Sequence, residues 1–217
     1  VNGFINFMFD NYSFGKFVYT SCNLSSSSTY TSIISAIDSH SITKYAVDTT
    51  TNTAQLTNWD SDVDIDVLWP TAGYSTTNAN DTSLVFKMTY AGKSILFTGD
   101  ISSTVDALLI SAYGSDAGGR LDSDILKIAH HTSNSSSSDA FISAVSPTYA
   151  FASTSTNTSY GWPGSSTIAR YNTAGLTWYS TSNTSGRLFG TCYHGNITFV
   201  IDASGNITFD TEYSYAG

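Results

Sequence analysis

The sequence is short of positive charge: eight Lys and Arg stand against 17 Asp and Glu, for a formal net charge of −9. Those eight are scattered singly (Lys16, Lys44, Lys87, Lys93, Lys127, Arg120, Arg170, Arg187). No basic stripe exists to follow a phosphate backbone, which excludes extended nucleic-acid binding but not one phosphate group held at a single point. Charge of either sign is sparse, at 12% of residues, about half the usual share. Ser, Thr, Asn and Tyr take over the solvent-facing role, a habit of extracellular proteins, so a secreted or cell-surface location is expected. Cysteine is reduced to Cys22 and Cys192. Neither has a Cys or His partner at metal-finger spacing, which argues against a cysteine-built structural zinc site. A long-range disulfide in an oxidising compartment and two buried free thiols are the open readings. No run approaches the roughly 18 apolar residues that span a bilayer, and the first residues carry no basic signal-peptide region.

What is present is a globular composition, 41% hydrophobic and 14% aromatic over 217 residues. That suffices for one domain, 1–217, with a substantial core. Asn-x-Ser/Thr triplets recur at Asn11, Asn23, Asn80, Asn134, Asn157, Asn183, Asn196 and Asn206. They are glycosylation acceptors only if the source organism glycosylates.

Along the chain, an apolar stretch at Gly3–Asp10 precedes a short β-branched and aromatic run at Lys16–Thr20. Helical spacing of Tyr30, Ile33, Ile34 and Ile37 follows, then a strand over Ile42–Val47, giving a β-α-β rhythm. Val63–Trp69 alternates as a half-buried strand and Pro70 ends it. Ser83–Tyr90 and Lys93–Thr98 flank Ala91-Gly92 as a hairpin. Helical spacing returns at Ser102–Tyr113, Asp139–Val145 and Ser165–Thr173, with strands at Ile125–Ala129, Tyr149–Ala152 and Leu176–Tyr179. A closing hairpin pairs Asn196–Ile201 with Asn206–Asp210. The mixture predicts a layered α/β fold with mixed sheets flanked by helices.

Two apolar strands end on chemistry. Ile95-Leu96-Phe97-Thr98-Gly99-Asp100 empties into a carboxylate, which reads either as a rigidly aimed ligand or as the N-cap of the following helix. Thirty residues on, Ile125-Leu126-Lys127-Ile128-Ala129-His130-His131 empties into two histidines. Neutral imidazole is the commonest protein ligand for zinc. Structural histidines, one buried and one exposed, are the plain alternative. Neighbours on an extended chain point to opposite sides, so one of the pair is expected to ligate and the other to face substrate or support the site. The run Asp60–Asp66 lacks the glycine and distal glutamate of a calcium loop.

The order Asn80-Asp81-Thr82-Ser83-Leu84-Val85, then Leu96–Asp100, then Leu126–Ser133 resembles the metallo-β-lactamase superfamily. Within it, the resemblance is to the hydrolase domain of ComEC-type competence proteins and related secreted phosphorylcholine esterases, with NxxSLV, LLTGD and LKxGHHGS in this order. It continues through Ala144–Pro147 and Tyr160-Gly161-Trp162-Pro163. The resemblance implies the C-terminal portion of an αββα sandwich and a divalent metal, zinc first, with manganese or iron as alternatives. It implies Asp100 as the bridging ligand and His130 as the terminal one, with His131 beside substrate and Asn80 polarising substrate or completing the shell. Ser133 and Trp162 are candidate substrate contacts. The implied reaction is attack of a metal-activated hydroxide on a small phosphoester or nucleotide-like substrate. Two departures stand out. The HxHxDH motif is absent, so the remaining ligands are expected from an N-terminal half, upstream or on another chain. Trp162 also stands where the family often has His; an indole cannot ligate metal but can stack on a base, wall a choline cage or pack under the loop. A surface structural or binding module in which catalysis has lapsed is the competing expectation.

Overall fold

The computed structural model describes residues 2–51, 60–114, 118–156 and 159–216, with side chains described from 7 onward. Val1 and the triplet at Asn157 therefore lie outside the described residues. The chain opens with α1 (Asn2–Asn11), β1 (Phe17–Thr20), α2 (Ser28–Ser39) and β2 (Lys44–Val47). β1 and β2 pair in parallel, Phe17 opposite Lys44 and Thr20 opposite Val47, as the β-α-β rhythm requires. Ser27 caps α2 by accepting the Tyr30 N–H.

A six-stranded mixed sheet forms the centre. Its strands are β3 (Val63–Trp69), β4 (Val85–Tyr90), β5 (Lys93–Phe97), β6 (Ile125–Lys127), β7 (Tyr149–Ala152) and β8 (Leu188–Gly190), adjacent in that order. β3–β4 and β4–β5 are antiparallel, and β5 through β8 run parallel. The parallel half is linked by α3 (Ser103–Tyr113), α4 (Asp139–Val145) and α5 (Ser165–Thr173). After β8 come the short α6 (Thr191–His194) and the hairpin β9 (Ile197–Ile201) and β10 (Ile207–Thr211).

The period-2 alternation of strands separates two faces. Val85, Leu96, Leu126, Ala150 and Leu188 face the helices and meet Val105, Leu109, Phe141 and Ile142 in the main core. Their strand neighbours point the other way: Tyr149, Phe151 and Phe189 receive Phe199 and Phe209 of the closing hairpin, with Phe189–Phe209 centroids 4.8 Å apart. A smaller cluster of Val47, Ile65 and Val67, with Val18 and Phe86 against it, packs β1–β2 on β3–β4.

One predicted strand is displaced. Leu176–Tyr179 makes only an isolated bridge, Trp178 opposite Leu188, and the sixth strand is Leu188–Gly190. The apolar spacing of 176–179 reports its burial beside β8, not ladder membership. The cysteines are free thiols, Cys22 buried and Cys192 half-buried. Asp66 pairs with Arg120 through two hydrogen bonds of 2.9 and 2.7 Å. The triplet residues Asn134 and Asn183 spend their amide groups internally, on Ser166 and on Thr177 and Trp178. Among the described residues no helix is long and apolar enough to cross a membrane.

Candidate functional site

Ligands in mixed and parallel sheets gather at the carboxyl ends of the parallel strands, where successive turns converge. β5, β6 and β7 end side by side here, and Asp100, His130-His131 and Ser153 follow them directly. At the first end Gly99 takes φ +55°, a left-handed conformation. A Cβ there would lie 2.5 Å from the Ser83 Cβ. Glycine thus lets the turn close on Ser83, whose hydroxyl accepts the Asp100 N–H at 3.0 Å. The N-cap alternative for Asp100 does not hold, because Ser102 caps α3 by accepting the Thr104 N–H.

The histidine segment is not extended. β6 stops at Lys127, and His130, His131 and Thr132 take φ of 49°, 55° and 71° in succession. Left-handed backbone at non-glycine residues costs of order 1–3 kcal/mol each and persists only where surroundings impose it. The restraints are visible. The His130 N–H donates to the Gly99 carbonyl at 3.1 Å, and Thr154 Oγ1 donates to the His131 carbonyl at 3.0 Å. The Gly164 N–H donates to Thr132 Oγ1 at 3.1 Å. Gly164 is packed so closely that a Cβ would sit 2.3 Å from the Thr132 carbonyl oxygen.

This turn, rather than strand alternation, sends the two imidazoles apart. His131 faces Asp100, with Nε2 3.6 Å from Oδ2. Its Nδ1 lies 2.6 Å from the Ser153 carbonyl. A carbonyl only accepts, so Nδ1 carries a hydrogen, and in the neutral imidazole Nε2 is the lone-pair nitrogen, turned toward the carboxylate. His130 points instead at Asn80, whose Nδ2 is 3.4 Å from Nε2, and among the described residues its buried Nδ1 has no partner. Asp100 and His131 thus form one pair, Asn80 and His130 another. The Ser133 hydroxyl pairs with Ser135 at 3.0 Å. Trp162 lies against His131, centroids 5.0 Å apart, and stacks on Tyr160 at 4.8 Å.

Lys127 also belongs to this cluster, although its motif position alone assigned it no role. Its ammonium donates to the Gly99 carbonyl at 2.9 Å and the Ile128 carbonyl at 3.3 Å, and lies 4.0 Å from Asp100 Oδ1. Burial pushes this ammonium's pKa down, opposed by the Asp100 charge. The available signal was a lone cation inside an otherwise apolar strand end. Nothing in the sequence marks the Ser153 carbonyl.

Two ligands on one tetrahedral zinc at ordinary N and O bond lengths stand about 3.4 Å apart. The 3.6 Å between Asp100 and His131 fits such a pair, and the carbonyl-fixed tautomer is the one a metal-binding histidine needs. Among the described residues, however, no group of three or more His, Cys, Asp or Glu is placed to hold a metal ion. The donor set seen here is partial.

No family model matches the chain. It is 35% identical over 118 residues to competence protein ComA of Neisseria gonorrhoeae, covering 54% of this chain and 16% of that protein. It is 33% identical over 113 residues to the uncharacterized protein YcaI of Escherichia coli strain K12, covering 52% of this chain and 14% of that protein. The chain thus matches only about a sixth of the length of these curated relatives, and over about half its own length it is similar to a competence protein.

Proposed function

We propose that this chain carries part of a divalent-metal hydrolytic centre acting on phosphodiester or related ester bonds, in a competence-related protein exposed at or beyond the cell surface. The observation that carries this reading is the convergence of Asp100 Oδ2 and His131 Nε2 at neighbouring strand ends, 3.6 Å apart, with the His131 tautomer fixed from behind. In this assignment His131 replaces His130 as the imidazole ligand. His130 and Asn80 form the adjoining wall, where the Asn80 amide can also donate to a substrate oxygen. A divalent ion supplies Lewis-acid polarisation of the phosphoryl oxygen and activation of water. The chain's own residues aim the donors. Gly99 and Ser83 set the Asp100 backbone, Lys127 holds the end of β5, and Ser153 orients His131. Zinc is the first choice for a carboxylate–imidazole pair, with manganese or iron as alternatives, and the further ligands come from an N-terminal half upstream or on another chain.

The partial donor set favours a second reading, a binding module on the same architecture in which hydrolysis has lapsed. Zinc and manganese titration by calorimetry, with bis(p-nitrophenyl) phosphate turnover, separates the two. The hydrolase reading expects Asp100→Ala and His131→Ala each to weaken metal binding at least tenfold, with His130→Ala milder. Metal binding without turnover would support the lapsed module. Absence of metal binding, or an unchanged Asp100→Ala variant, would sink the metal centre.

A further inference from the structure

Residues 159–166 present a surface the centre itself does not use. Tyr160 is 71% exposed, the most open of the large hydrophobic side chains among the described residues. Its ring lies nearly parallel to Trp162, 18° between planes and 4.8 Å between centroids. Trp162 in turn leans on His131 at 5.0 Å and 49°. The three rings form a short column whose inner end is the imidazole beside Asp100 and whose outer end is the largely exposed Tyr160.

We infer that Tyr160 and Trp162 form a stacking subsite for a flat aromatic or heteroaromatic ring carried by the ligand of the Asp100–His131 site.

Rigidity is the first argument. The segment is bonded to the histidine turn: Gly164 donates to Thr132 Oγ1 at 3.1 Å, and Asn134 Oδ1 accepts from the Ser166 N–H at 3.1 Å and the Ser166 hydroxyl at 2.6 Å. At Gly164 a side chain is excluded, since a Cβ would meet the Thr132 carbonyl at 2.3 Å and Asn134 Oδ1 at 2.6 Å. The backbone two residues after Trp162 is thus fixed to the histidine turn, which lowers the entropic cost of ordering the platform on binding. Geometry is the second. Cages for ammonium groups surround the cation with aromatic faces. Here the two rings are stacked on each other and Tyr160, at the end of the stack, is largely exposed, an arrangement that suits a further ring laid against it. Charge is the third, since residues 153–166 contain no Asp or Glu that would balance a bound ammonium.

This deepens the function proposed above and rests on it for the phosphoryl end of the ligand. The test reads binding alone, so it stands whether or not turnover occurs. Adenosine monophosphate, p-nitrophenyl phosphate, ribose 5-phosphate and phosphocholine are titrated into the intact chain by calorimetry or ligand-observed NMR. Adenosine monophosphate should bind about 5- to 150-fold more tightly than ribose 5-phosphate, the range alanine substitution gives for stacking one base. Tyr160→Ala, at an exposed position that folding does not depend on, should bring that ratio toward one, Trp162→Ala should do the same, and Tyr160→Phe should retain it. If p-nitrophenyl phosphate follows adenosine monophosphate, any aromatic ring satisfies the subsite; if it follows ribose 5-phosphate, the subsite takes a base. Equal affinities for adenosine monophosphate and ribose 5-phosphate would overturn the inference. So would a Tyr160→Ala effect confined to phosphocholine. An Asp100→Ala variant that leaves every affinity unchanged while the ratio persists would count against the metal centre and leave the stacking subsite standing.

Discussion

Asp106, on the first turn of α3, is completely buried, and replacing it by Asn tests how far its charge opposes folding. Its Oδ2 accepts the Ser138 N–H at 2.7 Å, while Oδ1 is buried with no partner among the described residues. Burial pushes the carboxyl pKa up to about 6 from 3.8, against the Ser138 hydrogen bonds and the Arg170 charge, with Asp81 adding a smaller push in the same direction. The unfolded chain ionises this group near 3.8, whereas the folded chain keeps its proton until about pH 6. The stability this proton represents is therefore fully present below pH 3.8 and lost as pH rises through 6. At 1.36 kcal/mol per pKa unit, the loss is about 3 kcal/mol. Asn at this position keeps an acceptor for Ser138 and cannot ionise. Its amide hydrogens will cost something at every pH, so the informative quantity is the change with pH rather than the offset. Urea unfolding of both proteins at pH 3, 4, 5, 6 and 7.5 should show the parent losing about 3 kcal/mol relative to Asp106→Asn across that range. Other carboxylates cancel in the comparison. Profiles parallel to within about 0.5 kcal/mol would refute the assignment of a buried, destabilising charge.

Gly99→Ala should cost about 2–4 kcal/mol, from left-handed strain plus the overlap with Ser83, and should weaken metal binding by misdirecting Asp100. Thermal unfolding and metal titration check both, and a variant within about 0.5 kcal/mol of the parent would show that the turn opens freely. His194, fully buried, donates from Nε2 to the Tyr179 carbonyl at 2.9 Å and accepts the Gly190 N–H on Nδ1 at 3.1 Å. His194→Ala leaves both backbone groups unpaired and should cost about 2–4 kcal/mol in denaturant unfolding without changing metal affinity. A change in metal affinity with stability intact would mean that this histidine serves the site.

Most elements were legible because their apolar spacing reports one buried face directly. The Val63–Trp69 alternation, the turn at Gly92 and the apolar spacing in Ser102–Tyr113 needed no tertiary knowledge. β8 was not legible. Three residues, Leu188-Phe189-Gly190, are too few to show a period, and the stronger apolar run at Leu176–Tyr179 lies beside the ladder instead of in it. The directions of the two imidazoles were not legible for a related reason. Alternation assumed an extended chain, but Gly99, Thr154 and Gly164 impose three left-handed residues from outside the segment.

By itself the sequence determined where chemistry could sit. A strand that ends on Gly99-Asp100 and a strand that ends on His130-His131 are local patterns, set by which residues can be buried and which must emerge. Tertiary structure alone decided which groups meet. The parallel pairing of β5 with β6 and β7 brings Asp100, His131 and the Ser153 carbonyl together, and packing against Gly164 turns one imidazole toward the carboxylate and the other toward Asn80. Those contacts link residues 22 to 50 positions apart, and no local periodicity encodes a distance of that kind.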